Sequence, residues 1–146
     1  MEDSILYQAG HALWKKVPGI AISSKGASGG IATFWDSTKF ELTKEERNDH
    51  WIFTNLLHWD SRQQVSLFNL YVPNLFPEKC SYWDSLELFL SQHSPRNIII
   101  AGDLNVTLST EEKKWGSIVR DQAREWVDII LHWDLMDVKP PSGKFT

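Results

Sequence analysis

The run Ile98-Ile99-Ile100-Ala101-Gly102-Asp103-Leu104-Asn105 constrains this chain more than any other stretch: an apolar segment stops at a glycine and then delivers a carboxylate and a carboxamide two residues apart. Three consecutive isoleucines read as a buried strand, because β-branched side chains suit a pleated surface packed on both faces. Side chains alternate along a strand, so the pattern predicts Asp103 and Asn105 on one face and Leu104 on the other. Strand ends in α/β folds are where ligands are commonly held. A Gly-Asp turn closed by Asn105 is the plainer alternative, since these residue types dominate turns. Other parts of the chain have to choose between the two.

At 146 residues the chain is long enough for one domain with a core, and a composition of 42% hydrophobic and 23% charged residues is that of a folded chain rather than a disordered one. Eight tryptophans point to extensive aromatic packing. A net charge of −4 gives no basic footprint for non-specific nucleic-acid binding, so phosphate recognition has to be local. Lys15-Lys16 and Lys113-Lys114 are the local basic pairs, and pairs of this size are ordinary solvated surface. The single cysteine, Cys80, has no partner for an internal disulfide or a metal knuckle, which fits a reducing compartment and no disulfide-linked partner. Met1 to Lys16 lacks the apolar core of a signal peptide, and no stretch has the apolar length of a membrane span. The expected location is therefore intracellular, with no membrane partner.

The periodicity predicts a short helix in Ser4–Trp14, a hairpin of Ile20–Ile22 with Ile31–Trp35 across Ser23–Gly30, and a meander of Lys39–Thr43, His50–His58 and Gln64–Tyr71. The period then changes. Ser81 and Asp84 resemble a capping box, and Trp83, Leu86 and Leu90 line one face of a helix that ends near His93 before Pro95. A strand over Asn97–Ala101 follows, then a polar loop through Ser117, then a helix from Arg120 to His132 with Ala123, Trp126, Val127 and Ile130 as its stripe. The tail, Pro140 to Thr146, reads as the entry to a further strand.

A second chemical stretch is Phe68-Asn69-Leu70-Tyr71-Val72-Pro73-Asn74, a strand ending in a Pro-Asn turn. Alternation puts Asn69 and Tyr71 on one face, and a strand-end phenol and a turn carboxamide can both donate to a phosphate oxygen. Tyr71-Val72-Pro73-Asn74, then a helix, then a strand ending Gly102-Asp103-Leu104-Asn105, resembles the endonuclease/exonuclease/phosphatase superfamily, the fold of DNase I and the abasic-site endonucleases. Together with Ser28-Gly29-Gly30-Ile31, Trp35-Asp36, Glu111-Glu112-Lys113-Lys114-Trp115-Gly116 and Ser142-Gly143-Lys144-Phe145-Thr146, the chain looks like the endonuclease domain of plant LINE-type non-LTR retrotransposons.

The resemblance implies an α/β fold: a four-layer sandwich with two mixed β-sheets face to face and helices outside. It implies Mg²⁺, or Mn²⁺ in its place, as cofactor, DNA as partner and a nuclear location. Carried over by position, Asp103 resembles the aspartate that orients or deprotonates the attacking water, Asn105 the asparagine that positions water and phosphate, and Tyr71 the tyrosine on the scissile phosphate. Asn74, and more weakly Asn69, resemble phosphate-binding neighbours. The family also uses an asparagine on its first strand, a metal-ligand glutamate upstream of the Ser-Gly-Gly turn, and a downstream aspartate with a Ser-Asp-His ending. No such motifs occur here, and His11, His50, His58, His93 and His132 each lack a preceding Ser-Asp. The expectation is one truncated domain over 1–146 with no complete metal ligand set, inactive or strongly impaired, whose open sheet edges invite self-association. A non-catalytic retrotransposon remnant and a lipid or inositol phosphate phosphodiesterase are the alternatives.

Overall fold

The computed structural model describes residues 8, 17–23, 30–105 and 124–138. Most of the expected helix in Ser4–Trp14, most of the Ser23–Gly30 turn, the basic pairs, most of the loop through Ser117, Ala123 and the tail from Pro140 lie outside them. Two compact units are formed: one by the described residues up to Val72 together with Ser94–Leu104, the other by Pro73–His93 with those from Asn105 onward.

In the first unit, β1 (Gly19–Ile22) and β2 (Ile31–Phe34) pair antiparallel as a two-stranded sheet. A second sheet has the order β3-β4-β5-β6, made of Phe40–Arg47, Trp51–His58, Gln64–Tyr71 and Ile98–Asp103. The first three form the expected antiparallel meander, and β6 joins parallel to β5, so this sheet is mixed. A parallel partner cannot be reached by a tight turn, which is why a helix-bearing segment separates β5 from β6 in the chain.

The two sheets pack face to face. Ile20 and Trp35 meet Ile52 and Leu56 of β4, ringed by Ile22, Ile31, Phe40 and Leu42. Each fully buried aliphatic or aromatic side chain in such a layer contributes roughly 1.5–3 kcal/mol. The opposite face of β4 and β5 is buried too, with Phe53 and Phe68 at ring centroids 4.6 Å apart and Ser66 Oγ donating to Asn55 Oδ1 at 2.8 Å. Burial on both faces explains why β4 reads Trp-Ile-Phe-Thr without polar alternation. The α/β class and the pair of apposed sheets agree with the expectation.

Three strand details differ from it. β3 continues past Thr43 to Arg47 across a register shift between Leu42 and Lys44, because its charged second half lies along an exposed edge where polar residues are tolerated. β6 runs on to Asp103 rather than stopping at Ala101. It is also half-exposed rather than buried, with Ile99 at 52% exposure, because among the described residues it has a paired strand on one side, β5.

The second unit holds α1 (Phe76–His93) and α2 (Arg124–His132). The first helix begins five residues before the expected Ser81. Pro77 in its first turn lacks only an N–H that would have no partner there, and Lys79 N already donates to Leu75 O at 2.9 Å. Trp83, Leu86 and Leu90 are fully buried, as their spacing predicts. Trp83 stacks on Trp126 of α2 at 5.2 Å, and the Glu87 carboxylate receives Trp133 Nε1 at 3.3 Å and pairs with His132 Nδ1 at 3.1 Å. On α2 the buried pair is Trp126 and Ile129, while Val127 is exposed, because the helix turns its i, i+3 ridge toward α1 rather than the predicted stripe. Among the described residues, no helix is long and apolar enough to cross a membrane.

Cys80 on α1 donates from Sγ to Glu125 Oε1 of α2 at 3.5 Å. Desolvation, and then the neighbouring carboxylate, push this thiol above its ordinary pKa, so the unreactive thiol form prevails at pH 7–8. Slow alkylation by iodoacetamide at pH 8 is expected, and Glu125→Gln should speed it by lowering the thiol pKa. Mass-spectrometric rates with the two proteins compare them directly.

Candidate active site at the strand ends

The parallel pairing of β5 and β6 runs from Ser66↔Ile98 to Tyr71↔Asp103, so the last rung joins the two residues that the sequence singled out. Val72 N donates to Asp103 O at 2.9 Å and extends the ladder one step beyond that rung. On the other side of β5, Tyr71 N donates to His50 O at 2.8 Å, which brings the Asn48–His50 turn to the same end of the sheet. That turn is fixed by Asn48 Oδ1, which accepts from His50 N at 2.8 Å and Trp51 N at 3.0 Å. Asp103 is exposed and Tyr71 half-buried, so a carboxylate and a phenol stand at the mouth of the sheet.

Gly102 sets that rung. Its φ of +124° is closed to most side chains, and a Cβ built there would overlap Leu70 O and lie 2.7 Å from Leu70 N. The glycine is thus required by the close approach of two backbones, one residue before the carboxylate they present. Asn105 lies outside β6 at a left-handed φ of 48°, so the strand rule that put it on the face of Asp103 does not reach it. The run therefore ends in a strand for Asp103, with Asn105 beyond it in the left-handed region.

The remaining sequence-derived residues fall in different surroundings. Asn69 lies between the sheets, where its Nδ2 donates to Ala32 O at 2.8 Å and to Thr33 Oγ1 at 3.3 Å. This amide joins β5 to β2, within the first unit. In the second unit, Asn74 is exposed ahead of α1, and the carbonyl of half-buried Asn105 accepts from Lys79 Nζ at 2.6 Å. Lys79 is only 3% exposed. A sequence signal for it exists: Lys79, Trp83, Leu86 and Leu90 repeat at helical spacing, which puts the lysine on the apolar stripe. Starting the helix at Ser81 hid that signal.

The donor set suits a hard cation in type, since Mg²⁺ takes one or two carboxylates and keeps several waters. Asp103 is the carboxylate the last rung presents. Among the described residues, no group of three or more His, Cys, Asp or Glu could hold a metal ion.

The chain is similar to the human Nocturnin catalytic domain, solved with a bound sulfate anion, at 15% identity and a TM-score of 0.48. The likeness covers 75% of this chain and 48% of that one, so the chain spans about half the length of that domain. No protein-family model matches the chain, and no curated protein matches it.

Asn69→Ala should lower stability by about 1–3 kcal/mol, because it orphans buried groups between the sheets. Gly102→Ala should cost about 1–3 kcal/mol or more from backbone strain. Tyr71→Phe and Asp103→Asn should stay within about 0.5 kcal/mol, as changes at an open strand end do. Urea unfolding followed by tryptophan fluorescence measures all four.

Proposed function

We propose that this chain carries the strand-end half of a metal-dependent phosphodiester-cleaving site of the endonuclease/exonuclease/phosphatase type. The single observation that carries this reading is the Tyr71↔Asp103 rung, locked by the close contact of Gly102 with the Leu70 backbone. In this reading the Asp103 carboxylate orients the attacking water and takes its proton, and the Tyr71 phenol donates to a non-bridging phosphate oxygen. Asn105 follows Asp103 by two residues in the chain, and Asn105 and Asn74 offer carboxamide N–H groups to phosphate. When bound, Mg²⁺ or Mn²⁺ would neutralise the charge that develops on the phosphoryl oxygens, and Asp103 is the residue here that would hold it, through water.

DNA is the proposed substrate, on the strength of the retrotransposon-like pieces around Ser28-Gly29-Gly30 and Ser142-Gly143-Lys144, and a nuclear location follows from it. Turnover by these 146 residues is expected to be slow, because members of a catalytic set act as a unit and the sequence has no Ser-Asp-His motif. The test is conversion of supercoiled plasmid to open circle in Mg²⁺. Slow nicking is expected, lost on chelation or in Asp103→Ala, and reduced at least about tenfold in Tyr71→Phe, the scale of one transition-state hydrogen bond. Nicking indifferent to Asp103→Ala overturns the reading. Bound but uncut DNA points to a non-catalytic remnant, and cleavage confined to inositol phosphates or phosphoinositides points to the lipid-directed relative.

A further inference from the structure

A lysine that is 97% buried is expensive, because an ammonium loses its hydration and must be repaid by fixed acceptors. Lys79 sits in the first turn of α1, on the same stripe as Trp83, Leu86 and Leu90, where a methionine would fill the space at no electrostatic cost. Its Nζ instead donates to a backbone acceptor of special geometry. Asn105 O accepts from it at 2.6 Å, a short charge-assisted hydrogen bond, and Asn105 is in the left-handed region, which non-glycine residues enter at a cost. The two groups lie 26 residues apart in sequence and within one compact unit. A tether on the carbonyl side of a strained residue restricts the ψ of that residue, and so limits the directions in which its side chain can leave the backbone.

From this contact we propose that Lys79 is a positioning residue: its ammonium holds the Asn105 peptide in the left-handed turn and thereby fixes the Asn105 carboxamide for a phosphate oxygen. The inference rests on the reading of Asn105 as a phosphate contact. Lys79 touches no substrate in it and acts through Asn105. The two residues are then coupled, and each loses its effect on phosphate binding once the other is removed.

The experiment is a double-mutant cycle on the full 146-residue chain, with binding of a phosphorothioate-linked duplex DNA in Mg²⁺ as the readout. Lys79→Met is expected to weaken binding about tenfold, the scale of one charge-assisted hydrogen bond, with Lys79→Arg recovering most of it. Asn105→Ala is expected to weaken binding by a similar factor, and adding Lys79→Met to it should change affinity less than about twofold, because coupled sites are not additive. Additive losses overturn the positioning role. So does a Lys79→Met protein that binds like the parent while Asn105→Ala binds weakly. If Asn105→Ala itself binds like the parent, the reading of Asn105 fails instead, which separates the two failures. Should Lys79→Met unfold, the Lys79→Gln chain decides in its place: its Asn105 backbone amide and side-chain NH₂ resonances must both move on the ¹⁵N spectrum, and unmoved resonances overturn the proposal.

Discussion

The last rung of the mixed sheet depends on a contact with no room in it, the backbone of Gly102 against the backbone of Leu70. Any side chain at position 102 would push β6 off β5 at the point where Tyr71 and Asp103 come level. Because the pairing is parallel, its hydrogen bonds are slanted, and an offset at one rung is passed to the next, here the bond from Val72 N to Asp103 O. A carboxylate aimed from a strand is only as well placed as the ladder beneath it. The ladder here ends one residue past a glycine that makes the close approach, and a left-handed asparagine follows it, at φ values of 124° and 48°.

Three asparagines with similar sequence settings have different surroundings. Asn69 spends its amide donors on Ala32 and Thr33, so it binds one sheet to the other and works as mortar. Asn105 is held through its backbone carbonyl by Lys79. Asn74 is exposed ahead of α1. A polar residue beside a strand end is therefore not informative by type. What it donates to, and which of its groups that consumes, decides whether it is structure or chemistry.

Much of the architecture was legible in the sequence where one physical pattern dominates. β5 was bounded at Gln64 and Tyr71 because alternation begins and ends there between a polar turn and a proline, and the Trp83, Leu86, Leu90 stripe followed from 3.6-residue spacing. The start of α1 was not, because Ser81 and Asp84 imitate a cap while Pro77, which reads as a breaker, is tolerated in a first turn. Lys79 was lost with those five residues. Asp103 and Tyr71 were each legible because each lies at the end of an apolar run, but their pairing was not, since the residues read on the same faces were Asn105 and Asn69. Whether Asn69 faces solvent or a second sheet is a tertiary matter, set by β2, which lies more than thirty residues earlier. The left-handed φ at Asn105 was announced locally by the alternative of a Gly-Asp turn closed by that residue, whereas its contact with Lys79, 26 residues away, was not.

The meander of β3, β4 and β5 needs only short connections, whereas β6 reaches β5 after the chain has run through the whole of α1. Contacts between sequence neighbours close cheaply and early, and those across long separations close late. The order of assembly follows. Tyr71 comes to rest with the meander, and Asp103 reaches its place only when the crossover has closed. The pair of residues that the proposed chemistry uses is thus a product of the slow step of folding, and any molecule interrupted before that step holds the phenol in place without the carboxylate.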